Sequence, residues 1–153
     1  MAKMKLFKRL KYWWISRGRI TPDVITKMDR DEIFVFGSNL DGNHAGGAAA
    51  YAARHFGAEQ GIDYGFTGDC YAIPTVGQNF SEMSLSEIEE YVDMFFEDAS
   101  HFTGSTGFKF LVTQIGCGIA GFTPEQIAPM FKKAIKMKNV HLPREFWEVL
   151  INE

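Results

Sequence analysis

Cysteine is scarce in this sequence, and its scarcity excludes two classes of small protein. Only Cys70 and Cys117 occur among the 153 residues, and they lie far apart. Such a pair forms neither a disulfide framework nor the closely spaced cysteines of a zinc site. We therefore expect a reducing, cytoplasmic setting, and we expect neither a metal ion nor a cofactor.

Long apolar runs are also missing. No stretch reaches the roughly 20 apolar residues that a membrane-spanning helix needs, so no contact with a membrane is expected. Residues 1–10 are basic but lack the unbroken apolar centre of a signal peptide. Because 46% of the residues are hydrophobic and 14% are aromatic, the chain can bury a core. Its length predicts a single domain over residues 1–153.

Acidic residues are absent from the first 19 positions, which hold seven Lys or Arg residues. The remainder carries nine basic and nineteen acidic residues, so the net charge of −3 divides into +7 and −10. A basic arm can contact nucleic acid or another acidic surface, but the acidic remainder argues against a broad footprint on nucleic acid. We predict that the arm at 1–19 is mainly a solvated edge of the fold, with a strand at 11–16 where aromatic residues are frequent.

Strand and helix patterns alternate along the rest of the chain. Apolar runs rich in β-branched and aromatic residues predict strands at 33–36, 70–75, 108–115 and 139–142, with Pro74 stopping the second. Helix signals stand between them: an N-cap at Thr21 before Pro22 and Asp23, an alanine-rich segment at 48–56, capping boxes at Ser84 and Thr123, and Pro143. This alternation predicts a three-layer α/β/α sandwich with a mixed, mostly parallel sheet.

The strand at 33–36 leads into a glycine-rich loop and then into the alanine-rich helix. Gly42, Gly46 and Gly47 allow tight turns and close approach of a ligand to the backbone. A helix that begins after such a loop presents free N–H groups, which favour an anion and most often a phosphate. The alternative is an ordinary turn between a strand and a helix, in which glycine only satisfies the geometry.

A second glycine-rich loop, Gly-Cys-Gly-Ile-Ala-Gly at 116–121, follows the strand at 108–115. It matches the dinucleotide-binding pattern G-x-G-x-x-G, but only about 30 residues follow and the acidic residue expected about 20 positions later is missing. We therefore interpret it as a phosphate-binding loop outside a dinucleotide-binding fold. Because ligands bind at the carboxyl ends of such strands, the loops at 37–47, 74–80 and 116–122 should meet.

The order of these motifs resembles the macrodomain family of ADP-ribose-binding modules, and most closely a partly phage-borne branch of macrodomain-like proteins. The resemblance covers about residues 21–137. It rests on Phe-Gly-Ser-Asn at 36–39, Ala-Gly-Gly-Ala at 45–48, Ala-Ile-Pro-Thr-Val-Gly at 72–77 and Ile-Gly-Cys-Gly-Ile-Ala-Gly-Phe at 115–122. It implies a pocket for ADP-ribose or for an ADP-ribosylated target.

The resemblance also implies roles for individual residues. Asn39 and Phe122 would contact the distal ribose, and Asp23 would accept a hydrogen bond from adenine, unless Asp23 only favours a helix start. The amides around Gly46, Gly47 and Ala48 would hold one phosphate. Thr75 lies in the middle loop. The remaining candidates would enclose the other phosphate and the ribose from the opposite side; they are Gly116, Cys117, Gly118, Ile119 and Ala120.

Catalytic groups of the family are replaced in this sequence. Phe36 stands where the family has an earlier Asn in the strand. Ala49 and Ala53 stand where the hydrolase branch has an Asp and a His, and the paired glutamates of the poly-ADP-ribose hydrolase branch are missing. Asp41 and His44, with Asn39, are the remaining candidates for positioning or deprotonating a water molecule; the alternative is that Asp41 and His44 are solvent-facing loop residues.

Three functional hypotheses follow. The first is a pocket that binds ADP-ribose or a related nucleotide diphosphate, with hydrolysis of an ADP-ribosyl bond left open. The second is a nucleotide- or phosphate-ester-processing enzyme with a different ligand. The third is a non-catalytic interaction module that uses the basic arm.

Overall fold

The computed structural model describes residues 2–104 and 107–153, and within them it shows an α/β fold. The strands are β1 (Ile20–Thr21), β2 (Glu32–Asn39), β3 (Gly65–Thr67), β4 (Cys70–Val76), β5 (Lys109–Val112) and β6 (Val140–Pro143). The helices are α1 (Ala2–Ser16), α2 (Gly47–His55), α3 (Leu85–Ser100), α4 (Pro124–Ile127) and α5 (Arg144–Asn152), with 3-10 turns at Gln78–Phe80 and Ala128–Ile135.

One six-stranded sheet has the order β1-β6-β5-β2-β4-β3. All neighbouring strands are parallel except β3, which pairs antiparallel with β4. The α/β class and the mixed, mostly parallel sheet are therefore confirmed. β2 lies between β4 and β5, so the strand that precedes the first glycine-rich loop is central in the sheet.

Hydrophobic cores lie on both faces of the sheet. Along β2, Ile33 and Val35 belong to one core, and Phe34 and Phe36 belong to the other. This division follows from the two-residue repeat of a strand. The first core contains the buried faces of α3, α4, α5 and the 3-10 turn at Ala128–Ile135, whereas α2 packs in the second. The layering is consistent with a three-layer sandwich.

The predicted strand at 11–16 was wrong, because these residues belong to helix α1. Residues 2–16 contain neither Gly nor Pro and are rich in Lys, Arg and Leu, which favour a helix. Tyr12 and Ile15, one turn apart, pack against the first core, and the Tyr12 ring lies 6.3 Å from that of Trp147 in α5. Helical spacing therefore decides which aromatic side chains of this segment are buried.

The predicted helix start at Thr21 was also wrong. Ile20 and Thr21 form β1 and pair with Leu142 and Pro143 of β6, and no helix occurs at 22–31. Thr21 is buried, so its sheet pairing and burial outweigh the local N-cap signal. As a consequence, Asp23 does not stand in the first turn of a helix.

The strand limits differ from the prediction: β2 continues to Asn39, and β6 covers Val140–Pro143 in place of 139–142. Pro74 does not end β4, which continues to Val76. Since β3 pairs only with residues 70–72, β4 is an edge strand at Pro74, where a missing N–H is tolerated. β5 ends at Val112, three residues earlier than predicted. β3 lies in the glycine-rich segment at 57–69, where no strand was predicted. The capping box at Ser84 is confirmed, and at Thr123 the side chain of Gln126 accepts a hydrogen bond from the Thr123 N–H at 3.0 Å.

Arg19, the last basic residue of the arm, is buried and joins α1 to the body. Its guanidinium donates hydrogen bonds to the carbonyl oxygens of Ile15 at 2.8 Å, Ala134 at 2.8 Å and Met137 at 2.9 Å. Burial lowers the pKa of Arg19. Within the described residues, none of the helices is long and apolar enough to cross a membrane.

Candidate functional site

The candidate site lies where the chain leaves the sheet in two directions. After β2 the chain passes to α2 on one face, and after β5 it passes to α4 on the other face. Between two such neighbouring parallel strands the connections separate and leave a crevice at their carboxyl ends. A cleft of about 210 Å³ occupies this place.

The lining of the cleft consists of backbone, small side chains and neutral polar side chains. Its residues are Gly37, Asn39, Asn43, Ala45, Gly46, Gly47, Ala48, Ala49, Thr75, Val76, Phe80, Thr113, Gln114, Ile115, Gly116, Gly118, Ile119 and Ala120. Among the described residues, no Asp, Glu, Lys, Arg or His side chain lines it. The cleft therefore brings together the three predicted loops but no charged group.

The first wall is the start of α2. Gly46 is its N-cap, with extended backbone angles and no side-chain cap. The N–H groups of residues 45–49 have no acceptor within the described parts of the chain, as expected before and in the first turn of a helix. The dipole of the nine-residue helix α2 also favours negative charge at this end.

The second wall is the loop after β5. Phe122 N–H donates to the carbonyl of Gly116 at 2.9 Å, and Gly121 N–H donates to that of Gly118 at 3.0 Å, so the loop is closed by its own turns. The N–H groups of Gly118, Ile119 and Ala120 have no acceptor among residues 2–104 and 107–153. This wall thus offers a second set of unused donors.

Glycine is required at position 116. Its φ is +76°, and a Cβ atom there would lie 2.9 Å from Cδ1 of Ile127. Gly118 differs, because its φ is outside the left-handed region and a Cβ atom would meet nothing within 4 Å. Position 118 can therefore accept a side chain without disturbing the fold, although the residue lines the cleft.

Ile119 of the second wall lies close to the glycines of the first wall. A Cβ atom built on Gly46 or Gly47 would lie 3.8 or 4.0 Å from Cδ1 of Ile119, whose side chain is 73% exposed. At the floor, a Cβ atom on Gly37 would lie 3.2 Å from Oγ1 of buried Thr75. Glycine at 37, 46 and 47 thus keeps the cleft open at its floor and along one wall.

The side chain of Asn39 shapes the first loop. Its Nδ2 donates to the carbonyl of Asn43 at 2.8 Å, and its Oδ1 accepts from the N–H of Asn43 at 3.0 Å. Both ends of the amide therefore hold the loop from 39 to 43. Asn39 also lines the cleft, as predicted, and one N–H of its amide remains for another acceptor.

The two other catalytic candidates do not line the cleft. Asp41 is exposed, and its carboxylate accepts a hydrogen bond from the N–H of Asn79 at 2.7 Å. His44 is buried and packs edge-on against Phe36, with ring centroids 5.3 Å apart. Neither ring nitrogen of His44 has a partner in the described parts of the chain. His44 is thus not a solvent-facing loop residue.

Three of the predicted ligand-binding side chains also lie outside the lining. Asp23 is exposed beyond the carboxyl end of β1, two strands away from β5. Phe122 and Cys117 are half-buried against the first core. Burial raises the pKa of the Cys117 thiol to about 11, with a smaller contribution from Glu125, so the thiol is neutral at pH 7.

Several lining residues were not singled out from the sequence. Phe80 is the aromatic side chain at the cleft, and it is 63% exposed. Asn79 and Phe80 have φ values of 54° and 59°, in the left-handed region that is unusual for residues other than glycine. Thr113 and Gln114 line the cleft because β5 ends early. The loop at 74–80, which was expected at this edge, includes Phe80, so the sequence did indicate its position.

Metal-binding groups and known relatives provide no further assignment. Within the described residues, no three His, Cys, Asp or Glu side chains are grouped so that they could hold a metal ion. No protein family, curated protein sequence or solved structure matches the chain.

Proposed function

We propose that the chain binds a phosphate-bearing nucleotide, ADP-ribose or a close relative, in the cleft between the α2 N-terminus and the loop after β5. The observation that carries this proposal is the pairing of two sets of unused N–H donors, at 45–49 and 118–120, across one cleft. Backbone donors of this kind bind phosphate oxygens, and a helix dipole adds to the attraction. Two facing sets suit a diphosphate.

The lack of carboxylates among the described residues that line the cleft supports binding of an anionic ligand. No acidic side chain of the described residues lines the cleft, although the chain beyond residue 19 carries a net charge of −10. A phosphate there meets neutral dipoles, and no carboxylate among the described residues stands in the lining. Neutral dipoles that are already fixed in place need no reorganisation when the ligand arrives, so they bind an anion efficiently.

The nucleotide part of the proposal rests on the resemblance to macrodomains. The cleft volume of about 210 Å³ is smaller than the roughly 300–1,000 Å³ of pockets that enclose a drug-sized ligand. We therefore propose that the cleft holds the diphosphate and one ribose, and that the base extends along the carboxyl edge of the sheet. Asp23 follows β1 at that same edge, so its proposed contact with adenine is compatible with the strand order.

Binding is better supported than turnover. General acid–base catalysis needs an ionisable group within hydrogen-bond reach of the substrate. Asp41 is tied to Asn79 and His44 is buried beside Phe36, so neither stands at the cleft. We therefore assign Asn39 and Asp41 to positioning of the loops and make no assignment of a catalytic residue.

Calorimetry with ADP-ribose tests this proposal, and Gly118→Val is the decisive variant. Valine at 118 fits the backbone but places two methyl groups at the cleft, so we expect affinity to fall about tenfold or more. Met94→Val on the exposed side of α3 is the matched control and should bind as the parent does. Absence of heat at millimolar ADP-ribose, with folded protein, would sink the proposal.

A thermal-shift panel separates ADP-ribose from other ligands. AMP, ADP, ribose 5-phosphate, inorganic phosphate and ADP-ribose would each be added to the same protein. A ligand that binds only the native state raises the melting temperature according to its affinity. We expect ADP-ribose to give the largest shift. A larger shift with another nucleotide would favour the processing of a different substrate.

A further inference from the structure

Helix α1 carries a row of exposed apolar side chains that we call the outer stripe. Its members are Leu6, Phe7, Leu10, Trp13 and Trp14, with exposed fractions of 59%, 72%, 49%, 51% and 68%. Large apolar side chains exposed singly are ordinary, whereas a contiguous group marks an interaction surface. The stripe is separate from the cleft, whose lining contains no residue of α1.

Helix geometry places the stripe on one side of α1. At 100° per residue, positions 6, 7, 10, 13 and 14 fall within an arc of about 120°. Tyr12 and Ile15, which pack against the core, fall on the opposite side. The helix therefore uses one face to attach to the body, and it holds the second apolar face outward without a partner among the described residues.

The charged side chains of α1 all have one sign. Arg9 and Lys11 lie on its two borders by the same geometry, and Lys3 lies within it. Residues 1–19 contain no acidic side chain that could neutralise them. A partner of the stripe must therefore combine an apolar interior with a negatively charged surface.

We propose that the outer stripe docks the protein on an anionic lipid bilayer, with α1 lying in the plane of the membrane interface. A helix with Trp, Phe and Leu on one face and Lys or Arg beside it has the composition of interfacial helices. Tryptophan is enriched at the level of the lipid headgroups. The lack of a spanning run does not oppose this, because a helix that lies on a membrane needs none.

Two other occupants fit the stripe less well. A second copy that paired stripe against stripe would bring two acid-free segments, each with seven Lys or Arg residues, close together. Nucleic acid would suit the charges and the two tryptophans, but Leu6 and Leu10 in the stripe offer nothing to phosphate or to base edges. A bilayer uses the aliphatic, aromatic and basic side chains together.

Vesicle flotation with the full chain tests the docking. We expect the protein to float with vesicles that contain about one phosphatidylglycerol in three lipids, and to stay behind with phosphatidylcholine alone, because basic residues add to the attraction of an anionic surface. Tryptophan emission should shift to shorter wavelength only with the anionic vesicles. Trp13 and Trp14 report this shift, since Trp147 is already buried.

Paired variants identify the surface that binds. Phe7→Ser with Trp14→Ser should lower the bound fraction at a given lipid concentration about tenfold or more, since two large apolar contacts are lost. Arg9→Gln with Lys11→Gln, at the two borders of the stripe, should weaken binding and reduce its salt dependence. Phe80→Ser removes an equally exposed aromatic side chain outside the stripe and should leave flotation unchanged.

Three results would overturn the proposal. The first is folded protein that does not float with anionic vesicles. The second is a dimer, seen by light scattering, that the Phe7 and Trp14 changes abolish, because the stripe would then bind a second copy. The third is salt-sensitive binding to an oligonucleotide with no flotation, because the partner would then be nucleic acid.

Discussion

The carboxylate of Asp41 accepts a hydrogen bond from the N–H of Asn79 over 2.7 Å, and this bond joins the loop after β2 to the loop after β4. Asn79 and Phe80 both have positive φ, and Phe80 stands at the cleft. Left-handed backbone at two non-glycine residues persists only where neighbouring structure holds it. Asp41 is therefore a positioning residue for the rim that carries Phe80.

Replacement of Asp41 tests this positioning role. Asp41→Ala removes the acceptor, and we expect ADP-ribose affinity to fall roughly fivefold, which corresponds to about 1 kcal/mol for one hydrogen bond. Asp41→Asn retains an oxygen that can accept from Asn79 and should bind nearly as the parent does. Calorimetry on both variants checks this. If Asn failed to rescue, the negative charge of Asp41 would matter and the positioning role would be wrong.

Cysteine reactivity tests whether the second loop holds a nucleophile. Burial raises the pKa of Cys117 to about 11 and that of Cys70 to about 12, so both are neutral thiols at pH 7. The thiolate is the reactive form, so we expect both to react slowly with a thiol reagent in the native protein. Cys117→Ser should bind ADP-ribose within about twofold of the parent. Rapid labelling of Cys117 that abolishes binding would refute this assignment.

His141 in β6 should make the stability depend on pH. Burial lowers its pKa from 6.5 to about 4, and the charges of Arg19 and Lys109 act in the same direction. Because the folded pKa lies below the unfolded value, the unfolded state binds more protons between about pH 4 and 6.5. The free energy of unfolding should therefore fall as the pH decreases through this range, by up to about 3 kcal/mol for this group.

Urea unfolding at several pH values checks the role of His141. His141→Gln should flatten the dependence between about pH 4 and 6.5, whereas His101→Gln at an exposed position should leave it as in the parent. An unchanged slope in the His141 variant would assign the dependence to other groups.

Local signals predicted much of the fold and failed where long-range contacts decide. The strand at 33–36, the alanine-rich helix and the capping box at Ser84 were found because their residues favour one local structure. Thr21 had the local pattern of an N-cap, yet its pairing with Pro143 places it in β1. Residues 11–16 were assigned to a strand on their aromatic content, which was given more weight than the helix-favouring residues before them, and the packing of Tyr12 on Trp147 could not be foreseen.

The sequence predicted which backbone segments meet at the candidate site, but it predicted less well which side chains line it. The three loops meet at one cleft because parallel strands end at the same edge of the sheet, which the sequence pattern can indicate. The direction of a side chain in a loop depends on its turns and on its neighbours. His44, a catalytic candidate from the sequence, is buried beside Phe36. Phe80, which was not singled out, stands at the rim of the cleft.

An amide NMR titration with ADP-ribose tests the central claim most directly, because the proposed contacts are N–H groups. The ¹H–¹⁵N resonances of Gly46, Gly47 and Ala48 and those of Gly118, Ile119 and Ala120 should shift together with one dissociation constant. Ala2–Ser16 lies outside the cleft lining, so its resonances should remain unchanged. Shifts confined to other residues, or only to one of the two walls, would contradict binding of a diphosphate between them.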